Sequence, residues 1–417
     1  MIRSTCVLLS LLSGVFLQQT FAILHLHKLP EEIANSTGAV CLDGTPPAFY
    51  LAPAETASPK NTSWVIFFRG GGWCYDADEC AERAMTDLGS TKDLSPNVTF
   101  ADGVLSSDSS TNPFAAYNRA WLWYCDGASF SGDVETPVSA KGVSIYFRGH
   151  RILNEVFAYL ASDFGFNQAT DVLLSGCSAG GLATYLHADY IRDNLLPSSV
   201  KRFKVMPISG FFLMHDTYDG APKYQEQMKG VFEMQNCTNG VNSQCVANHE
   251  GEEWRCMFAN ESAAHVTSPM FPVNSALDSW QMGNIWFGDE NCVASGQFQN
   301  CTSGQIADLN KYQTDFLVDF TSSGIPNRKG NGMFIESCFE HCAANDAGFS
   351  EYSIDGIVLK NALMQWWNSS VNADPKQFSY LPCSLQTQPP HQCNPSCSST
   401  TDSLEQYFKP IATHKEK

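Results

Sequence analysis

The chain is poor in positive charge. Its 25 Lys and Arg residues are outnumbered by 43 Asp and Glu residues, which gives a formal net charge of −18. An acidic surface of this kind argues against binding to nucleic acid or to anionic membranes. The chain also has no apolar run of the roughly 18 residues that a membrane-spanning helix needs. We therefore expect neither a nucleic-acid partner nor a membrane span.

Glycine motifs that hold phosphates are also missing. The chain contains neither G-x-x-x-x-G-K-[ST] nor a G-x-G-x-x-G segment that opens a helix, so no phosphate-binding loop is predicted. Internal repeats and compositional breaks are absent as well. A chain of 417 residues could form two domains, but without such a break we expect a single domain over residues 23–417.

Residues 1–22 have the pattern of a secretory signal peptide. Arg3 supplies the positive charge, residues 7–16 form a short apolar segment, and residues 20–22 provide a small-x-small cleavage site. The alternative is a buried N-terminal helix. With a signal peptide, the protein would be secreted, to an extracellular space or a cell wall.

The cysteine count agrees with an oxidising compartment. Of the 16 cysteines, Cys6 leaves with the leader, and most of the remaining 15 should pair. We expect Cys177 to be the unpaired thiol and the other 14 to form up to seven bridges, with Cys74–Cys80 the simplest local pair. Seven N-glycosylation sequons fit a glycosylated exterior, at Asn35, Asn61, Asn97, Asn236, Asn260, Asn300 and Asn368.

Short apolar runs alternate with helical patterns along the chain. This alternation predicts an α/β fold with a mostly parallel sheet and helices on both faces. Residues 210–267 contain three cysteines, two sequons and little periodicity, which indicates a disulfide-tied insertion in the position of a lid. Strands are predicted at 40–42, 49–51, 64–68, 120–125, 171–174, 203–208, 270–273 and 333–335, and helices at 151–163, 179–196 and 352–368.

The most informative stretch is residues 171–181. A short apolar run leads into Gly176-Cys177-Ser178-Ala179-Gly180, a G-x-S-x-G sequence that is followed by a helical pattern. In that setting the motif predicts a nucleophile elbow, a tight turn that strains the central serine and exposes its hydroxyl. Ser178 is therefore the candidate nucleophile. Cys177 is disfavoured, because the elbow exposes its central residue.

A serine hydroxyl needs a base in contact with it and an acid that orients the base. In hydrolases with this elbow the chain order is nucleophile, acid, base, and the base lies in a late loop. His341 fits, because it follows the strand predicted at 333–335 and lies near Cys338 and Cys342, which could anchor its loop. His391 and His414 are competitors in the C-terminal tail.

The acid should follow a strand that lies between the nucleophile and the histidine in the chain. Asp278 follows the strand predicted at 270–273 and is the preferred candidate, while Asp289 and Asp308 are alternatives. An isolated aspartate is more often a helix cap or a solvated side chain than a catalytic group. Position alone therefore leaves the choice of acid open.

The transition state of ester hydrolysis places negative charge on an oxygen that needs fixed N–H donors. One donor comes from the residue after the nucleophile, here Ala179, and another from a glycine-rich loop after an early strand. Gly70, Gly71 and Gly72 follow the strand predicted at 64–68 and fit this role. The alternative is a flexible glycine turn.

Taken together, these motifs resemble the pectin acetylesterase family, which also includes the animal carboxylesterase Notum. The resemblance runs from about residue 40 to residue 397, and the plant branch is the more similar one through Gly176-Cys177-Ser178 and the late 393–397 segment. The segments of this chain that carry the resemblance are GGGWC at 70–74, YCDG at 124–127, SFSGD at 129–133, LSGCSAGGLA at 174–183, DSWQ at 278–281 and SCF-x-HC at 337–342.

The resemblance implies an α/β-hydrolase fold with a disulfide-tied lid insertion. It also implies a triad of Ser178, Asp278 and His341. The oxyanion donors of the family fall on Gly71, Gly72 and Ala179, and no metal or organic cofactor is implied. Arg69 departs from the family pattern, because an acidic residue is usual before the three glycines.

We therefore expect a secreted serine carboxylesterase that acts on acetyl esters of pectin or a related cell-wall polysaccharide. A Notum-like removal of a fatty acyl group from a secreted protein is the alternative, with Phe211, Phe212, Met214 and Met228 as a conceivable apolar lining. A hypothesis of another class is a non-catalytic binding protein on an esterase scaffold. The acidic composition fits poorly with a polygalacturonate substrate unless the cleft is locally basic.

Overall fold

The computed structural model describes residues 23–382, except 56, 287–291, 293–297 and 299, and also residues 394, 396 and 397. The predicted signal peptide therefore lies outside the described residues. None of the helices in the described part of the chain is long and apolar enough to cross a membrane.

A ten-stranded sheet forms the centre of the molecule. Its strands run in the order β14-β11-β10-β9-β8-β3-β5-β2-β1-β4. The strands from β14 to β5 are mutually parallel, whereas β2, β1 and β4 add antiparallel pairs at one side. The sheet strands are β1 (Leu24–Lys28), β2 (Ala48–Ala52), β3 (Ser63–Phe68), β4 (Asn97–Val98), β5 (Asn118–Leu122), β8 (Asp171–Cys177), β9 (Arg202–Ile208), β10 (Val273–Ser275), β11 (Met333–Glu336) and β14 (Ser379–Tyr380).

Two small hairpins and a set of helices complete the fold. The hairpins pair β6 (Val138–Ala140) with β7 (Val143–Ile145), and β12 (Ser353–Ile354) with β13 (Ile357–Val358). The α-helices of the described residues are α1 (Glu31–Thr37), α2 (Ala77–Arg83), α3 (Gly149–Asp163), α4 (Ala179–Asn194), α5 (Lys223–Met234), α6 (Ser243–Asn248), α7 (Ala259–Ser262), α8 (Ser279–Gln281), α9 (Ser303–Ser322), α10 (Gly348–Glu351) and α11 (Leu359–Trp367).

Both faces of the sheet are covered, as the continuous apolar runs of its central strands require. Along β3, Trp64, Ile66 and Phe68 pack into one core together with residues of α3 and α4. Val65 and Phe67 point to the other face, into a core that includes α11. This alternation is the period of two that a strand imposes on its side chains.

The sequence predictions agree with most of these elements. The predicted strands around 49–51, 64–68, 171–174, 203–208 and 333–335 are confirmed, as are the helices at 151–163 and 179–196. The strand predicted at 40–42 is wrong, because this segment is a turn joined to the loop after β5 by the Cys41–Cys125 disulfide. The helix predicted at 352–368 begins only at Leu359, after the β12–β13 hairpin, and α9 was not predicted.

Six disulfides join described residues. The predicted pair Cys74–Cys80 is confirmed, and the others are Cys41–Cys125, Cys177–Cys342, Cys245–Cys256, Cys292–Cys301 and Cys338–Cys397.

The expectation that Cys177 is the unpaired thiol is wrong. Its Cα lies 5.7 Å from that of Cys342, within the range of a disulfide, although 165 residues separate the two in sequence. The free cysteine of the described residues is Cys237, which is buried. Burial raises the pKa of the Cys237 thiol well above its ordinary value.

The tight packing of the elbow against β3 gives a prediction about stability. A Cβ on Gly180 would lie 2.1 Å from the carbonyl oxygen of Phe68, so we expect Gly180→Ala to lower the free energy of unfolding by at least about 2 kcal/mol. Gly304 has no close neighbour in the first turn of α9, and Gly304→Ala should change stability by less than about 1 kcal/mol. Urea unfolding followed by circular dichroism measures both, and equal stability of the two variants would contradict the prediction.

Candidate active site

The carboxyl ends of the parallel strands bring four loops to one edge of the sheet. Strands β3, β8, β10 and β11 run in the same direction, so the residues that follow them meet at that edge. These residues are the glycine loop after β3, Ser178 after β8, Asp278 after β10 and His341 after β11. Such an edge is where open α/β sheets bind their ligands.

Ser178 has the backbone conformation that an elbow requires. Its φ is 61° and its ψ is −128°, a region that non-glycine residues rarely adopt, and it connects β8 directly to α4. A Cβ on Gly176 would lie 2.3 Å from the carbonyl oxygen of Gly180, so the turn can close only with glycine there. The Ser178 N–H donates to the carbonyl of Ile208 at 3.0 Å, which ties the elbow to β9.

Asp278 and His341 are in direct contact. Nδ1 of His341 lies 2.8 Å from Oδ2 and 3.0 Å from Oδ1 of Asp278, and both residues are buried. The Asp278 carboxylate also accepts from the N–H of Gln281 at 3.1 Å, as the N-cap of α8. This arrangement fixes the carboxylate and orients the imidazole ring.

The His341 loop is fastened to the serine elbow. The Cys177–Cys342 disulfide joins the residue before Ser178 to the residue after His341. A ring nitrogen of His341 lies within 4.8 Å of the Cys177 sulfur, so the imidazole reaches the elbow. Both sulfurs are in the disulfide and offer no thiolate to a metal ion. The structure therefore brings Ser178, Asp278 and His341 to one place.

The glycine loop after β3 is held by its carbonyl groups. The Arg83 guanidinium donates to the Gly71 carbonyl at 2.9 Å, and the Tyr124 hydroxyl donates to the Gly72 carbonyl at 2.7 Å. In a trans peptide the N–H points away from the carbonyl of the same unit, so the Arg83 bond directs the Gly72 N–H to the opposite side. Gly71 (φ 141°) and Gly72 (φ 66°) adopt conformations that disfavour a side chain.

Ser129 is a site residue that the sequence reasoning did not assign to a role. Its hydroxyl donates to the Ala179 carbonyl and accepts from Nε1 of Trp73, both at 2.8 Å. Its N–H donates to the hydroxyl of Tyr124, the residue that holds Gly72. Ser129 thus joins the glycine loop to the first turn of α4. The sequence signal for Ser129 was its place in the SFSGD motif at 129–133, and the structure adds its positive φ of 53°.

Aromatic side chains fill the space beside His341. Trp73, Phe212, Tyr224 and Trp280 come from three segments of the chain, and neighbouring rings lie 5.0–6.5 Å apart. The His341 ring lies 6.2 Å from Trp280 and 6.4 Å from Phe212. We call these four residues the aromatic cluster.

Two further carboxyl groups lie close to Asp278. Burial, and then the charges of Glu340 and Asp278, raise the pKa of Glu336 well above its ordinary value. Burial also raises the pKa of Glu340, which accepts from the His341 N–H at 3.1 Å. Burial thus shifts the pKa of both carboxyl groups in the direction that favours their neutral forms.

Arg69, which stands where an acidic residue was expected before the three glycines, forms an ion pair with Asp87. It forms a 2.9 Å salt bridge with Asp87, and its guanidinium lies 3.6 Å from the ring centre of Trp123. Burial lowers the pKa of Arg69 despite the neighbouring Asp87. The positive charge before the glycines is therefore compensated locally.

The competing candidates are less well placed. Asp308 lies exposed on α9, whereas Asp278 is buried beside His341. Asp289, His391 and His414 lie outside the described residues. Cys177 is in a disulfide and has no thiol to act as a nucleophile.

With the fold and the site in view, comparisons with known proteins become informative. The family model described as Pectinacetylesterase matches residues 22–398. Pectin acetylesterase 5 of Arabidopsis thaliana is 32% identical over 376 residues, covering 88% of this chain and 83% of the relative. The human palmitoleoyl-protein carboxylesterase NOTUM is 28% identical over 390 residues, covering 88% of this chain and 72% of the relative.

Solved structures show the same fold. The Wnt deacylase Notum from Drosophila superposes with a TM-score of 0.72 at 23% identity, covering 90% of this chain and 99% of that chain. The α/β-hydrolase fold expected from the sequence is thereby confirmed. The sequence relatives are named as esterases and support esterase activity in this chain. On the extent of the family match, this chain belongs to the pectin acetylesterase family.

Proposed function

We propose that the protein is a secreted serine carboxylesterase whose triad is Ser178, His341 and Asp278. The observation that carries this proposal is the fastening of the Asp278–His341 pair to the Ser178 elbow by the Cys177–Cys342 disulfide. His341 takes the proton of the Ser178 hydroxyl as it attacks the ester carbonyl, and returns it to the leaving alcohol. Water then hydrolyses the acyl-enzyme by the same route.

In this mechanism the N–H groups of Gly71, Gly72 and Ala179 stabilise the oxyanion. Ala179 begins α4, whose first N–H groups have no partner within the helix and which places a positive dipole end at the site. Arg83, Tyr124 and Ser129 keep these groups aligned before the substrate binds. Such preorganised donors contribute several kcal/mol to catalysis, roughly 3–4 for one donor.

The preferred substrate in this proposal is an acetyl ester of pectin or a related cell-wall polysaccharide. The aromatic cluster supports a small acyl group, because its four rings occupy the space beside His341. Phe211 and Met228, two of the four residues considered as a fatty-acyl lining, are fully buried in the core, as Phe212 is, and Met214 packs against it. The Notum-like alternative, removal of a fatty acyl group from a protein, is less well supported on this ground.

The segment between β9 and β10 serves as a lid in this proposal. Phe212 and Tyr224 from residues 210–267 pack on Trp73 and Trp280, so the segment covers the site edge. A disulfide within the segment, Cys245–Cys256, stiffens it. Secretion is supported by the six disulfides and by the exposed sequon asparagines, such as Asn61 and Asn97.

The nucleophile is tested by Ser178→Ala. We expect kcat for p-nitrophenyl acetate to fall by at least about 10³-fold, with the thermal unfolding temperature unchanged, because the oxyanion donors remain but no acyl-enzyme forms. Ser199→Ala, before β9 at the opposite edge of the sheet, is the matched control and should keep full activity. A Ser178→Ala protein with more than a tenth of the wild-type rate would refute the serine mechanism.

The acyl preference is tested by chain length. We expect the wild-type enzyme to prefer p-nitrophenyl acetate to the octanoate by kcat/KM, and Phe212→Ala to raise the octanoate-to-acetate ratio at least about tenfold by opening space in the aromatic cluster. Phe166→Ala creates a similar cavity beside Trp64, away from the site, and should leave the ratio unchanged. A wild-type preference for octanoate would favour the fatty-acyl alternative.

The positioning role of Ser129 is tested by two substitutions. Ser129→Ala and Ser129→Gly both remove the hydroxyl that holds the Ala179 carbonyl and Trp73, and we expect kcat to fall about tenfold in both while KM changes less than twofold. Glycine also relieves the positive φ, so the two variants should differ in stability but not in kcat. If kcat of the two variants differs in the same order as their stability, the role of Ser129 is structural only.

A further inference from the structure

A polar pocket of about 300 Å³ opens beside the first turn of α3. Helix α3 leads into the start of β8, so its N-terminal end lies at the same edge of the sheet as the Ser178 elbow. Arg148, Arg151, Gly38 and Glu135 are among the residues that line it. None of them takes part in the proposed ester hydrolysis.

Two guanidinium groups converge in this pocket on Gly38. Gly38 ends α1 with a φ of 72°, and a Cβ there would lie 2.7 Å from Nη1 of Arg148 and 2.9 Å from Nη1 of Arg151. A side chain at residue 38 would fill the space in front of both nitrogens. The glycine therefore leaves a recess that is bordered by hydrogen-bond donors of two arginines.

Asp133 and Glu135 lie next to these arginines but bind guanidinium atoms other than Nη1. Nε of Arg151 donates to the Asp133 carboxylate at 2.7 Å, Nη2 of Arg151 binds the Glu135 carboxylate, and Nη2 of Arg148 binds the Glu135 carbonyl. These contacts hold both guanidinium planes. They use Nε and Nη2, so the Nη1 atoms remain directed at the recess beside Gly38.

Arg148 is unusual for an arginine in its degree of burial. It is only 6% exposed, and its Nε has no acceptor within the part of the chain that the structure describes. Burial, and then the neighbouring charge of Arg151, lower the pKa of Arg148. An anion at the Nη1 atoms would offset the repulsion between the two guanidinium groups, whereas Nε of Arg148 is buried away from the recess.

We propose that this pocket binds the carboxylate of a uronic acid unit in the polysaccharide, at a subsite apart from the sugar that carries the acyl group. A carboxylate matches the planar donor pattern of arginine and accepts from two guanidinium groups at once. The inference rests on the proposed function and deepens it. In a chain with a net charge of −18, recognition of an acidic substrate at this pocket depends on directed hydrogen bonds from the two Nη1 atoms rather than on a positive surface.

The distance to the catalytic site suits a subsite on one polysaccharide chain. Ser129 contacts the Ala179 carbonyl beside the elbow, and Glu135, six residues later, lines the pocket. Six residues of fully extended chain span at most about 20 Å. Glu135 thus lies within about 20 Å of Ser129, a separation that a few sugar units of a polysaccharide chain can span.

The test measures binding of trigalacturonic acid by calorimetry and compares it with the fully methyl-esterified trimer, which has the same sugars without the charge. All proteins carry Asn35→Gln, so that a glycan on this pocket-lining asparagine cannot occupy the site. Arg151→Gln removes one guanidinium. Gly38→Asn keeps both charges but fills the recess, and asparagine tolerates the positive φ. Arg202→Gln is the control for lost charge, because Arg202 lies at the amino end of β9, at the opposite end of the strands from the elbow.

We expect Arg151→Gln and Gly38→Asn each to weaken binding of trigalacturonic acid at least about tenfold and to raise KM for acetylated pectin. Their kcat/KM for p-nitrophenyl acetate should stay unchanged. Arg202→Gln should bind the trimer and hydrolyse both substrates as the wild type does. Equal binding by all variants, equal affinity for the methyl ester, or equally tight binding of inorganic phosphate would each overturn the subsite. If the wild type binds the trimer through Arg151 but releases no acetate from pectin, the subsite stands and the proposed function fails.

Discussion

The disulfide between Cys177 and Cys342 is the constraint on which the site depends. Ser178 follows β8 and His341 follows β11, and two strands lie between these in the sheet. At about 4.8 Å per strand the two strand ends are roughly 14 Å apart, too far for a hydrogen bond between their side chains. The loop after β11 must therefore arch back over β10 and β9. Cys342 fixes this loop at two points: its disulfide to Cys177 secures the loop at the elbow, and its N–H donates to the hydroxyl of Ser209, after β9, at 2.9 Å.

The same edge also concentrates backbone conformations that cost energy to maintain. Ser178, Ser129, Gly71 and Gly72 all have positive φ, and each is held by hydrogen bonds or by close contact with a neighbouring strand. Residues in such regions persist only where the surroundings over-determine them, at roughly 1–3 kcal/mol each for non-glycine residues. Here the surroundings are Arg83, Tyr124 and Trp73, whose hydrogen bonds to Gly71, Gly72 and Ser129 hold the backbone of this edge.

Much of this could be predicted from the sequence, and the failures have physical causes. The strand, turn and helix around Ser178 follow a strong local pattern and are found as predicted. Position alone left the choice of Asp278 open, and the family resemblance favoured it; the structure places its carboxylate against His341. The partner of Cys177 could not be predicted, because 165 residues separate it from Cys342 and only the tertiary fold brings them together. The role of Ser129 was hidden for a similar reason: its partners Trp73 and Ala179 lie about fifty residues away on either side. Cys41 lies in a segment with a β-like composition that its disulfide holds as a turn.

Relatives of this chain are named for acting on pectin acetyl esters and on palmitoleoylated protein, so membership of the family cannot by itself decide the acyl group. The decision must lie in what fills the space beside the histidine. In this chain that space is filled by Trp73 from the glycine loop, Phe212 and Tyr224 from the segment after β9, and Trp280 from the loop that carries Asp278. Each ring is buried or half-buried against rings from other segments, so no single loop sets the size of the acyl site. Substitutions in any of these segments can therefore change the space beside His341 without touching Ser178, Asp278 or His341.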